Sequence, residues 1–242
     1  MIGRRACVML AIASTIAIGI VPSVSQAQTT PPSARMAAPL DLTGYWVAFV
    51  TEDWRFRMLV PPRGDYRGVP LNAQGRRVAD AWDPMADATP GNQCKPYGAA
   101  AIMRVPGRLH ITWQDDNTLR MDTDAGTQTR VFRFTPAVST VATRSWQGES
   151  TARWDQPNRA LTVTTKNMLP GYLRRNGVPY SENAKVTEYF DIAPTPGSGQ
   201  LLVVTTVVDD PTYLVRRFIV SSHFKKERDG SKWSPIPCSA RW

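Results

Sequence analysis

From Thr43 onward, apolar and polar residues alternate in runs of four to ten positions rich in Val, Thr, Phe, Tyr and Trp, the period of half-buried strands. The alternation predicts strands over 44–51, 54–60, 108–114, 118–123, 127–134, 148–154, 160–167, 184–192, 200–208 and 216–225. Turn-forming clusters separate them: Asp115-Asp116-Asn117, Asp124-Ala125-Gly126, Asp155-Gln156-Pro157-Asn158 and Thr195-Pro196-Gly197-Ser198-Gly199. Only Asn72 to Trp82 reads as a helix, with Asn72 as N-cap and Pro84 as its stop. Short strands linked mostly by hairpins, with one short helix, predict an all-β fold. A closed antiparallel barrel or a curled sheet fits best, because closure removes edges that an open sheet must protect. A two-sheet β-sandwich is the alternative. No internal repeat is visible.

The same alternation isolates two charges on apolar faces. Arg130 shares a face with Phe132 and Phe134, and Glu188 shares one with Val186 and Phe190. A buried ionised group is costly unless paired. Three readings stand: the two pair structurally with each other or with close neighbours, they line a cavity in which Glu188 acts as acid or base and Arg130 as electrostatic clamp, or they face outward. His110, on the face of Thr112 and Gln114, is a third catalytic candidate, although its strand position favours an exposed or hydrogen-bonded histidine over a catalytic one. The least regular stretch, Met168 to Asn183, is long enough to fold over a site. Tyr172, Arg174, Tyr180 and Glu182 are its lid candidates, with Trp154 and Phe132 as aromatic ligand contacts. Asp122-Thr-Asp124-Ala-Gly126 reads as a hairpin and not a calcium loop. Gly148-Glu-Ser150-Thr-Ala152 continues as a strand, the wrong context for a nucleophile elbow.

The N-terminus adds a compartment. Arg4 and Arg5 precede an apolar run from Ala6 to about Val24, and small residues stand at Ser25 and Ala27, the parts of a secretory signal peptide over 1–27. A flexible lead-in over 28–40 and one domain over 41–242 are expected to follow. Formal charge falls from +9 to +7 on cleavage, because the leader carries two arginines and no acid. The remaining basic residues are scattered singly or in pairs, which argues against a nucleic-acid partner, and no stable membrane insertion is expected after cleavage. Cys94 and Cys238 are the cysteines left to the exported chain. An oxidising periplasmic or extracellular setting predicts a disulfide between them. Only two histidines, His110 and His223, are present and no ligand pair has zinc spacing, so neither a metal nor another cofactor is expected. The oligomeric state is left open.

Two resemblances follow from particular motifs. Leu42-Thr43-Gly44-Tyr45-Trp46 resembles the Gly-x-Trp opening of lipocalin-like barrels, and Arg241 resembles the basic residue that packs over that tryptophan. A longer series runs through Trp146-Gln-Gly-Glu-Ser-Thr-Ala-Arg-Trp154, Leu161-Thr-Val-Thr-Thr165, Gly177-Val-Pro-Tyr-Ser-Glu-Asn183, Val186-Thr-Glu-Tyr-Phe190 and Asp210-Pro-Thr-Tyr213. It resembles a large, mostly uncharacterised family of secreted bacterial β proteins with W-x-G-H-S-x-G-x-W, L-V-V-x-T, H-S-x-A, V-T-E-R-F and D-P-x-x-Y motifs. With Cys94-Lys-Pro-Tyr-Gly98 and Thr129-Arg-Val-Phe132 included, the resemblance spans residues 85–225. Glu149 and Tyr180 stand where that family has histidines, Ala152 where it has glycine and Tyr189 where it has arginine, so chemistry using those histidines is not expected here.

These readings predict an exported lipocalin-like protein holding a small hydrophobic or aromatic molecule in its barrel. One alternative is a metal-free lyase, isomerase or hydrolase using the same cavity. The other is a cell-envelope interaction module with no cavity.

Overall fold

The computed structural model describes residues 31–135, 143–197 and 199–240. Its strands are β1 (Gly44–Ala48), β2 (Arg108–Asp115), β3 (Thr118–Thr123), β4 (Ala125–Gly126), β5 (Gln128–Arg133), β6 (Glu149–Asp155) and β7 (Ala160–Lys166), followed by β8 (Gly171–Arg174), β9 (Val178–Tyr180), β10 (Lys185–Thr195), β11 (Gly199–Asp209), β12 (Phe218–Lys226) and β13 (Ile236–Pro237). Nine of them close into one barrel in the order β1-β12-β11-β10-β7-β6-β5-β3-β2. The fold is therefore an all-β barrel, and the sandwich does not occur. Eight junctions are antiparallel and one, between β5 and β6, is parallel, pairing Phe132 with Ser150 and Arg133 with Thr151. A ring with an odd number of strands requires this: reversing direction at every junction returns to the start in the wrong sense.

Among the described residues three short α-helices accompany the barrel: α1 (Trp54–Met58), α2 (Ala73–Asp80) and α3 (Pro84–Asp87). α2 is the helix predicted from the sequence, and the Asn72 side chain caps it by accepting from Gly75 N at 2.8 Å. α1 corrects the strand expected over 54–60. Asp53 adopts the left-handed conformation (φ 49°) and turns the chain away from β12. The resulting helical turn buries Arg57 and pairs it with Glu52, which an extended strand facing solvent on one side would not do. The stretch 168–183 is also more regular than expected, since β8 and β9 form an antiparallel hairpin within it.

Inward-facing residues of the barrel form one apolar cluster that includes Trp46, Ile111, Met121, Phe132, Leu161, Phe190 and Phe224, each at most 1% exposed. Each such side chain contributes roughly 1.5–3 kcal/mol of burial. A second cluster seals one end, where Tyr66, Leu71, Leu173, Tyr180 and Leu214 pack on Val186, Val208 and Phe218 at the strand ends. At residues 34–40 the chain lies against the wall: Ala34 N donates to Asn117 Oδ1 (2.9 Å), and Trp154 Nε1 donates to Ala34 O (2.7 Å).

Trp46 donates from Nε1 to Leu42 O at 2.9 Å, and the Lys226 ammonium lies 4.3 Å from its ring centroid while donating to Thr43 O. Lys226 therefore packs over this tryptophan; Arg241, which the sequence suggested for such a role, lies outside the described residues. The Cys94–Cys238 disulfide is formed, with the two cysteines 144 residues apart. It fixes the C-terminal segment beside β4, with which β13 pairs in parallel. Among the described residues, no helix is long and apolar enough to cross a membrane.

Candidate functional site

The barrel has a seam. β12 pairs with β11 along Phe218–Lys225, but with β1 only across Phe224–Lys226. One further bond, Phe49 N to His223 O at 2.8 Å, follows before the chain leaves through Glu52 and Asp53 into α1. Among the described residues, Phe218–Ser222 consequently has no strand on its second side. Side chains from distant segments cover that edge: Phe56 from α1, Arg104 from the 3-10 turn Ile102–Arg104, and Arg174 from the end of β8. They leave a groove of about 430 Å³ floored by Phe218 and Val220, with Glu52, Asp53, Arg67 and Ser221 on its rim. A small recess of about 20 Å³ shares Phe56, Arg104 and Arg174 with the groove and is also bounded by Arg57, Arg175 and apolar side chains.

The groove is rich in positive charge that is only partly answered. Arg57 pairs with Glu52 and donates from Nε to Arg104 O at 3.0 Å. Arg104 Nη2 donates to Asp53 Oδ2 at 2.6 Å, and Arg174 Nη2 lies 3.6 Å from the same oxygen. Arg174 Nη1 and Arg175 Nη2 donate to the carbonyls of Arg67 (2.7 Å) and Arg57 (2.6 Å). Three buried donors, Arg57 Nη2, Arg104 Nη1 and Arg174 Nε, meet no acceptor among the described residues. Burial, followed by the charge of Arg104, lowers the proton affinity of Arg174; at Arg57 burial is again the main cause of a lowered pKa. The Arg174 guanidinium also stacks on Phe56, 3.9 Å from the ring centroid. Two aromatic rings beside unsatisfied guanidinium groups can hold a flat apolar body and its acidic group together.

Most residues singled out from the sequence lie elsewhere. Arg130 and Glu188 pair inside the barrel, with Nη1–Oε1 at 2.8 Å and Nη2–Oε2 at 2.5 Å. Arg130 also donates to Thr165 Oγ1 at 3.2 Å, and Thr165 bonds to Ser150 Oγ at 2.8 Å. Phe132 packs against Phe190 at 5.6 Å within the core around this pair. His110 is on the outer wall, stacked on Tyr45 with ring centroids 4.0 Å apart, so it does not converge with Glu188 and Arg130. Trp154 stands beside Trp113 and Phe134, where residue Ala34 covers it.

The lid candidates also separate. Tyr172 donates to Asp87 Oδ1 at 2.9 Å, Tyr180 is fully buried with a hydroxyl that meets no partner among the described residues, and Glu182 is exposed 3.9 Å from Arg144 Nε. Arg174 alone of these residues lines the groove. Phe56, Arg57, Arg104 and Phe218 were not anticipated. Arg104 had a legible signal, a charge at the end of the apolar run Ala99–Met103.

Among the described residues, no group of three or more His, Cys, Asp or Glu side chains is placed to hold a metal ion. Comparison with known proteins gives no match to a protein-family model, a curated protein or a solved structure.

Proposed function

We propose that this chain is an exported barrel protein that binds a small molecule with a flat apolar body and an anionic group, at the seam groove and not in the barrel interior. The observation that carries the reading is Arg104 and Arg174: both are buried, both line one open groove with Phe56 and Phe218, and each has an N–H without an acceptor. The groove volume falls in the range of small-molecule sites, roughly 300–1,000 Å³. The interior is a poorer place for a ligand, since Phe132, Phe190, Met121 and Val163 occupy it around the Arg130–Glu188 pair. Export is supported by the N-terminal pattern and agrees with a disulfide. The resemblance to secreted bacterial β proteins points to the same compartment. Binding is favoured over catalysis because Glu188 is tied to Arg130 within the filled interior and His110 stands apart from both on the outer wall.

Calorimetric titration of the mature protein with 2-naphthoate, set against neutral 2-naphthol, tests the proposal. The acid should bind at one site, at least tenfold tighter than the alcohol, and Arg174→Gln should weaken it by tenfold or more (about 1.4 kcal/mol). Equal affinities for acid and alcohol, or an unaffected Arg174→Gln variant, would remove the groove from consideration. Native mass spectrometry of protein recovered from the periplasm then looks for the natural ligand.

A further inference from the structure

We infer that α1 is a peripheral anchor that lays this protein on an anionic lipid surface beside the mouth of the groove. The helix is little more than one turn, and its sides differ. Arg57 is buried, paired with Glu52 and donating to Arg104 O, while Phe56 lines the groove. The outer side is apolar. Trp54 and Met58 share a face at i and i+4, Leu59 follows as the C-cap residue, and the three are 60%, 55% and 56% exposed. Single exposed apolar side chains are ordinary on a protein surface, but three large ones within six residues mark a contact. Fraying does not account for them, because the turn is held from below: Arg175 Nη2 donates to Arg57 O at 2.6 Å, and Leu59 N donates to Arg55 O at 3.3 Å. An anchor ordered beforehand loses little freedom on contact.

Charge identifies what covers this face. Arg55, Arg63 and Arg67 are exposed along the same stretch of chain, and Asp65 is the only acid between Trp54 and Gly68. Its carboxylate is shared by Arg55 at 2.9 Å and Arg67 at 3.1 Å. Asp80 approaches from α2 by accepting from Tyr66, and Arg76 lies over the same tyrosine ring. Glu52 and Asp53, which precede the helix, are engaged by Arg57 and Arg104. Positive charge therefore remains in excess around the apolar turn. A second copy of the chain would bring like charges together, and three side chains fall far short of the roughly 20–30 residues that each side of a stable protein interface uses. A bilayer asks for no matching surface: tryptophan rests at headgroup level, Met58 and Leu59 enter the acyl boundary, and guanidinium groups meet lipid phosphates. Adhesion of this kind is reversible and spans nothing.

Flotation of the mature protein with vesicles of phosphatidylglycerol, set against vesicles of phosphatidylcholine, tests the anchor. The anionic vesicles should bind it more tightly by about tenfold or more, and added salt should weaken the binding. Trp54→Ser/Met58→Ser should abolish binding without lowering the melting temperature, since both side chains stand in solvent. Arg63→Glu, which leaves the apolar face whole, should weaken it, and keeps the test open if the double variant does not fold. Failure of the unaltered protein to bind phosphatidylglycerol, equal binding to the two lipids, or full binding by a folded Trp54→Ser/Met58→Ser variant overturns the inference. So does a dimer of the unaltered protein that the same variant abolishes, which would assign the face to a second copy. Neither Trp54 nor Met58 lines the groove, so affinity for 2-naphthoate in the absence of lipid should be unchanged in that variant, and lipid adhesion and groove binding fail independently.

Discussion

Arg130 on β5 and Glu188 on β10 are joined across the barrel interior by two hydrogen bonds, of 2.8 and 2.5 Å, with both side chains fully buried. Truncating one partner leaves the other charge in an apolar interior. Arg130→Met or Glu188→Leu should each cost about 3–5 kcal/mol in urea unfolding, and the double variant should recover most of that loss, because apolar replacement of both partners removes the desolvation cost as well. Affinity for 2-naphthoate should be unchanged in the Arg130→Met variant at temperatures where it is folded. Additive losses in the double variant would show that the two charges are not energetically coupled.

Tyr180 gives a second stability test. Its ring is buried beside Gly98, where an added Cβ would collide with the tyrosine hydroxyl, and among the described residues that hydroxyl has no partner. Tyr180→Phe should be neutral or stabilising by up to ~1 kcal/mol, since it removes an unsatisfied polar atom and keeps the ring. Burial raises the Tyr180 pKa; at Tyr172 burial acts first and Asp87 adds to it. With folded values above the ordinary value near 10, the stability these groups carry is complete below that pH and is lost above it. Their phenolate absorbance should therefore appear together with alkaline unfolding, and Tyr180→Phe should remove part of that signal. Ionisation of these two groups with native circular dichroism retained would contradict their burial.

The disulfide should act mainly on the unfolded chain. Linking cysteines 144 residues apart restricts a loop for which chain entropy gives an upper figure of about 5 kcal/mol. Cys94→Ser/Cys238→Ser should lower the urea midpoint substantially and render the segment after β12 sensitive to protease. An unchanged midpoint would mean that the native contacts of β13 with β4 hold the tail unaided.

The strand pattern was largely legible because alternation reports directly which side chains face inward. It placed Arg130 beside Phe132 and Glu188 beside Phe190 on apolar faces, and both are buried there. The groove was not legible for three physical reasons. Trp54-Arg-Phe-Arg-Met58 alternates with the period of a strand, and its helical turn depends on the left-handed Asp53, which makes no side-chain cap. Arg104, Arg174 and Phe218 meet only through tertiary packing of a 3-10 turn, a hairpin and a barrel strand. The seam itself exists because β1 stops short along β12, and chain length along a neighbour is not encoded in the pattern of either strand.

The proposed export has a direct consequence at the N-terminus. Cleavage after Ala27 should leave Gln28 as the first residue of protein recovered from the periplasm, as read by N-terminal sequencing. Recovery of the Met1 end in a membrane fraction would refute the signal-peptide reading.

Asp53 separates a binding role from a scaffolding one, because the two predict effects of opposite sign. Its carboxylate accepts from Arg104 at 2.6 Å and lies 3.6 Å from Arg174, so it stabilises the fold while neutralising part of the groove. Asparagine keeps the shape and tolerates the left-handed backbone found at this position. Asp53→Asn should therefore lower folding stability by about 1–3 kcal/mol, the usual cost of a lost charged hydrogen bond. Affinity for 2-naphthoate should rise at the same time by roughly fivefold, equivalent to about 1 kcal/mol at the partly screened separations of a groove open to water. The gain should shrink as salt is added, whereas the stability loss should respond less. If affinity instead falls in parallel with stability, Asp53 positions the arginines and the groove gains no attraction from its neutralisation; if neither changes, the Asp53–Arg104 contact carries little weight in solution.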